Sequence, residues 1–195
     1  MKTVSRVYDS YAQANAAVNA LERAGIPARD ISLVANKYVS AKYADVDDVS
    51  DAAKGAGVGG AVGGAAGLLA GLGLIAIPGL GPVVAAGWLA ATAVGAAAGA
   101  ATGGVAGALI DAGEDRLHAD VYSEAVRRGG TLVTARVPDA EVSRAEAILA
   151  GYKPVDPVLR DAEYRKEGWR SFDPKAPPYR PSQAEVDRMR ANWPS

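Results

Sequence analysis

His118 is the one histidine of the chain, and its neighbours are of the kind an acid–base site would use. Glu114 and Asp115 precede it by about one helical turn and Tyr122 follows by one, which puts carboxylate, imidazole and phenol on one helix face. A carboxylate in that place orients an imidazole, and a ring titrating near neutrality is a pH sensor. Nucleophilic or metal chemistry needs further groups, a nucleophile beside the base or more ligands. The chain has no cysteine and no second histidine, so the pattern reads as an exposed helix histidine. Asp45, Asp47, Asp48 and Asp51 are dense enough to suggest calcium, yet Val49 and Ser50 stand where such a loop wants an oxygen ligand and glycine. They read instead as acids at a helix start, where the dipole favours negative charge. Gly55-Ala56-Gly57-Val58-Gly59-Gly60 matches the dinucleotide pattern G-x-G-x-x-G. That mechanism needs a buried strand before it, and residues 48–54, rich in Asp and ending in Lys54, cannot be one. Arg127, Arg128, Arg160, Arg165, Lys166 and Arg170, with Tyr164 and Trp169, would make a basic, aromatic surface. Asp161, Glu163 and Glu167 dilute it, and the strands offer Ser32, Thr131 and Thr134 where an RNA-binding sheet offers stacking aromatics. The sequence therefore predicts no catalytic residue, cofactor or metal, no nucleic-acid partner and no identified small-molecule substrate.

The distribution of charge carries more information than its sum. The 195 residues have a net charge of −1, which predicts no affinity for polyanions. Between Lys54 and Asp111 lie 56 residues without one charge, and 17 of the 23 glycines fall there. Gly55, Gly59, Gly63, Gly67 and Gly71 are four apart, and Gly87, Ala91, Gly95, Gly99, Gly103 and Gly107 repeat the interval. On a helix that interval makes one ridge of small residues, along which two backbones approach closely. Between the runs, Pro78, Gly79, Gly81 and Pro82 form a breaker. The spacing thus predicts an antiparallel helical hairpin, about 52–76 and 83–110, zipped by glycine. Its other faces carry Leu69, Leu72, Trp88 and Leu89 as outward apolar contacts, so each helix must meet lipid or more protein. Each is long enough for a bilayer core of ~30 Å, but the flanking acids make poor anchors and no positive-inside pattern is present.

The elements outside this block read as strand–helix–strand twice over. Residues 3–8 are a β-favouring run. Tyr11, Ala14, Val18 and Leu21 give a helical stripe stopped by Gly25 and Pro27, and Ile31 to Ala35 is a second strand. Leu117, Val121 and Ala125 mark a helix ending at Gly129-Gly130, and Thr131 to Val137 a strand. Val142, Ala145, Ile148, Leu149 and Tyr152 mark another helix, and Val155 to Arg160 an edge strand interrupted by Pro157. Together they predict an α+β fold, a ferredoxin-like sandwich interrupted by the helical hairpin. Residues 1–50 and 112–160 are its halves, 51–111 the hairpin and 161–195 a Pro/aromatic C-terminal arm. In that arm Trp169 and Phe172 are the expected anchors, locking adjacent subunits.

Tyr11 to Gly25 with the strand Ile31-Ser32-Leu33-Val34, the uncharged block through Ile77-Pro78-Gly79-Leu80-Gly81-Pro82, and Tyr122 to Thr134 with Gly129-Gly130 resemble bacterial general stress proteins of the heat-induced YflT-like type. The resemblance covers most of residues 1–137, and the segment Ala162 to Trp169 is similar to an extension of some of these proteins. It implies a stress-linked bacterial protein, cytoplasmic or membrane-associated, and supplies no catalytic residues. The resulting expectation is a non-enzymatic protein that self-assembles as a homo-oligomer through the glycine zipper. It would be cytoplasmic or associated with the inner membrane through the lipid bilayer, with both flanks cytoplasmic, and not secreted. A soluble homo-oligomeric scaffold, or a filament or shell subunit, is the second reading, and a ligand-sensing regulatory domain the third.

Overall fold

Residues 1–36, 73–77, 81–89, 104–176, 182–184 and 187 are described by the structure, a computed structural model, with the backbone alone for 73–77 and 81–86. The chain runs β1 (Lys2–Tyr8), α1 (Tyr11–Arg23), β2 (Ile31–Asn36), β3 (Gly73–Ile77), β4 (Gly81–Ala86), α2 (Gly104–Asp111), α3 (Arg116–Arg127), β5 (Thr131–Val137), α4 (Val142–Ala150) and α5 (Pro157–Lys166). It is a mixed α+β fold around one five-stranded sheet of order β1-β5-β2-β4-β3, antiparallel at every pairing.

Local chemistry sets the ends of these elements. Beyond α1, Ile26 N–H reaches back to Leu21 O and Gly25 takes φ +92°, a left-handed exit that glycine adopts without strain. Asp115 caps α3 by accepting from Leu117 N–H at 2.8 Å. Gly130 N–H donates to Ala125 O at 2.8 Å, turning the chain from α3 into β5.

Both faces of the sheet are covered, as the alternation of strand side chains requires. Val4, Tyr8, Leu33, Val133 and Ala135 point to one side, where Val18 and Leu21 of α1 and Ala145 and Leu149 of α4 pack on them. Tyr8 is fully buried there, and its hydroxyl donates to Leu149 O at 2.9 Å. Val7, Val34 and Leu132 point to the other side, against Leu89, α2, α3, Val155 and Phe172. Here the lateral row Ser5–Thr134–Ser32 is buried beside the apolar row Val7–Leu132–Val34.

Three expectations are corrected. The helical hairpin 52–76 and 83–110 does not extend through its centre: Gly73–Ile77 and Gly81–Ala86 are strands that pair with each other and extend the sheet from β2. Ile75, Ile77, Val83 and Val84 are β-branched and stiff at χ1, which favours strand where an open sheet edge is at hand. Gly81 and Pro82, expected in the turn, open β4. Pro82 lies beyond Val83, the last β4 residue opposite β2, so its missing N–H falls where pairing to β2 has ended. The edge strand expected at Val155 to Arg160 is instead the start of α5. Asp156 caps it, accepting from Val158 and Leu159 N–H at 2.8 and 3.0 Å, and Pro157 fills the first turn, where a missing N–H costs nothing.

Candidate functional site

The structure assembles two groups of polar side chains that the sequence singles out. The first is around His118 on α3. Its Nδ1 lies 3.9 Å from Glu114 Oε2, and its ring centroid is 5.9 Å from that of Tyr122. Tyr122 is buried, and burial pushes its hydroxyl up to about 12 against the opposing pull of the Arg6 guanidinium. One imidazole, one carboxylate and a phenol held protonated form no nucleophile–base pair. No group of three or more His, Cys, Asp or Glu suited to a metal ion occurs among the described residues.

The second group is the basic, aromatic surface, and here the chain does bring distant residues together. Glu124 is buried on α3, its oxygens taken by Arg127 Nε (2.8 Å) and Nη2 (2.6 Å) and by Arg128 Nε (2.6 Å). Arg128 also donates to Glu167, and its guanidinium lies 4.2 Å over the Tyr164 ring of α5. Tyr164 meets Trp169 edge-on at 5.5 Å. Arg160 binds Asp9, which follows β1, through Nη1 at 3.0 Å and Nη2 at 2.8 Å, and Glu163 through Nε at 3.2 Å. Arg165 pairs with Asp161 at 2.6 Å. Four of the six cations expected on a polyanion-binding surface thus hold carboxylates of their own chain. The arrangement ties α5 to α3 and to the end of β1.

Burial works against the charge of Glu124, but the hydrogen bonds and charges of Arg127 and Arg128 overcome it and hold the carboxyl below the ordinary range. A carboxyl depressed in the folded state stabilises the fold fully above its unfolded pKa and loses that contribution as pH falls through the folded value. Stability of the wild type should therefore fall in acid, below the ordinary range of glutamate. Glu124→Gln should be less stable at neutral pH and flatter across the acid limb, as urea midpoints between pH 3 and 7 would show. Parallel curves for the two proteins would remove Glu124 from this role.

The remaining site residues stand as follows. Gly55, Gly59, Gly63, Gly67, Gly71, Gly95, Gly99 and Gly103, with Leu69, Leu72, Pro78 and Gly79, lie outside the described residues, as do the Asp45 to Asp51 acids and the G-x-G-x-x-G match. Gly107 is within α2. Gly87 is not on a helical ridge: it bends the chain at φ +88° where β4 ends, with its Cα against β2. Leu89 is not an outward contact but fully buried in the core, and Trp88 packs half-buried on the same cluster, 4.9 Å under the Arg136 guanidinium. Phe172 and Trp169 likewise pack on the core of their own chain. In each case the side chain joins the apolar cluster built on Val7, Leu132 and Val34 of the sheet. The hub residue Glu124 escaped the sequence reading, although its spacing to Arg127 and Arg128 is the helical ion-pair interval. A depression of about 520 Å³ lies beside α1, lined by Ala16, Asn19, Glu22 and Arg23.

No family model matches this chain, and neither a curated protein nor a solved structure does.

Proposed function

We propose that the chain is a non-enzymatic, stress-associated protein that self-assembles through its uncharged block. The observation that carries this is the place of the block in the fold. Its centre continues the sheet of the charged domain as β3 and β4, so at Gly73–Ile77 and Gly81–Ala86 the block is part of that domain's own sheet. A run of 56 residues without one charge has little to set against water, and we read further copies of the chain as the cover of what the domain itself does not bury. We read the flanking runs, Gly55 to Gly71 and Gly95 to Gly103, as the close-packing ridges of that contact. We read residues 1–37 and 111–160 as a ferredoxin-like unit, supported by the order β1-β5-β2 with α1 and α4 on one face. In it α5 stands where a fourth strand would, and Val155 N–H donating to Val7 O at 2.8 Å is what remains of that pairing. The stress link rests on the resemblance to the YflT-like proteins.

A second reading, assembly without membrane insertion, has a specific observation in its favour. Among the described residues no helix is long and apolar enough to cross a membrane.

Detergent-free fractionation with light scattering of the soluble pool tests both readings. Large soluble particles are expected, and Gly63→Leu with Gly99→Leu should dissolve them while the far-UV spectrum and melting of the domain persist. Carbonate-resistant sedimentation with membranes would move the contact into lipid. A monomer in the absence of detergent would overturn self-assembly.

A further inference from the structure

The two edges of the sheet are finished differently. On β1 the carbonyls of Ser5 and Val7 are two residues apart and so face the same way, outward from β5. The first accepts from Arg6 Nη1 at 2.7 Å and the second from Val155 N–H at 2.8 Å. A guanidinium and a crossing segment thus close that edge, and Lys2 begins it; these are the devices by which soluble proteins prevent strand addition. At the opposite edge, β3, none of them occurs among the described residues. It lies in the middle of the charge-free run, with no Lys, Arg, Asp or Glu within 18 residues on either side and no proline within its five residues. Among the described residues β4 alone pairs with it.

We propose that the outer edge of β3 is a seam at which a second copy of this chain adds its own β3, antiparallel about a two-fold axis, to make one continuous sheet of ten strands. The proposal rests on the self-assembly reading and names the contact. An apolar strand without charge offers a foreign partner nothing to recognise by electrostatics, whereas it suits itself. A two-fold axis normal to the sheet keeps each residue on its own face, so two copies of one strand pair residues of the same parity, and full overlap sets Ile75 opposite Ile75 of the second copy. In that register Gly73 falls opposite Ile77 and Leu74 opposite Ala76, a small residue against a large one on either side of the axis. A two-fold contact of this kind closes after one event, so the edge is consumed and not propagated.

The absence of native cysteine makes the register directly readable. Directly opposed residues of antiparallel strands lie within disulfide reach, whereas residues displaced by two positions are about 8 Å apart, beyond it. Full-length Ile75→Cys should form a disulfide dimer under mild oxidation. Leu74→Cys alone and Ala76→Cys alone should not, and an equimolar mixture of those two should. Should Ile75→Cys fail to fold, the mixture carries the test unaided. Soluble particles with no link at any of these positions, or with equal links at all of them, would overturn the seam and leave self-assembly standing. A wild type that stays monomeric would overturn both.

Discussion

Gly87→Ala should cost about 3–5 kcal/mol, the sum of a left-handed backbone forced on an L side chain and of an overpacked contact. Gly87 takes φ +88°, and a Cβ there would stand 2.3 Å from Ile31 O and 2.7 Å from Ser32 Cα. Both are backbone atoms of β2 and cannot swing aside as a side-chain end would. A loss of this size is a large part of the 5–15 kcal/mol that stabilises an ordinary domain. It should appear as a lower urea midpoint and, before that, as faster amide exchange along Ile31–Asn36, because β4 must leave β2 to relieve the clash. An unchanged midpoint would mean that the end of β4 does not approach Ile31 in solution.

Phe172→Ala should cost about 3–5 kcal/mol, the usual range for removing a buried phenyl ring from a core. Phe172 is 7% exposed and packs with Val7, Leu132 and Tyr122 of its own chain. The same truncation should free the segment after α5, and brief trypsin treatment should cut the variant at Arg165, Lys166 or Arg170 while sparing the wild type. The outcome separates two roles for the ring. Were Phe172 an anchor between subunits, its loss would shrink the particles and leave the melting of the domain alone; as a core residue it lowers melting first.

The elements with a periodic pattern and a clear stop were legible in the sequence, and those decided by competition were not. The stripe of α1, the strand β5 and the stripe of α4 stand where spacing put them, because each helix buries one face, the strand is rich in β-branched residues, and each has a glycine or proline beside it. In the uncharged block two signals overlap. Glycine every fourth residue argues for helix, while Ile75, Ile77, Val83 and Val84 argue for strand, and only the vacant edge of β2, remote in sequence, decides for strand at 73–86. Asp156-Pro157 is an equal ambiguity: the pair interrupts a strand or opens a helix, and it opens α5. Of the polar group on α3 and α5, the local part, Glu124 with Arg127 and Arg128, has a helical spacing open to reading. The bond from Arg160 to Asp9 joins residues 151 apart and has no local signature. Leu89, Trp169 and Phe172 sit in apolar or aromatic company that fits an interface as well as a core, and burial alone distinguishes the two.

The strand order also dictates a sequence of events during synthesis. β1 and β2 do not touch each other; β5 lies between them and supplies the pairing of both. From Asn36 to Thr131 is 95 residues, which a ribosome takes about 5–20 s to add. For that interval the first two strands wait without their shared neighbour, and every residue of the uncharged block emerges before the sheet it extends can close. The strand that joins β1 to the rest of the sheet is thus the last to leave the ribosome, and the period of greatest apolar exposure falls in the nascent chain.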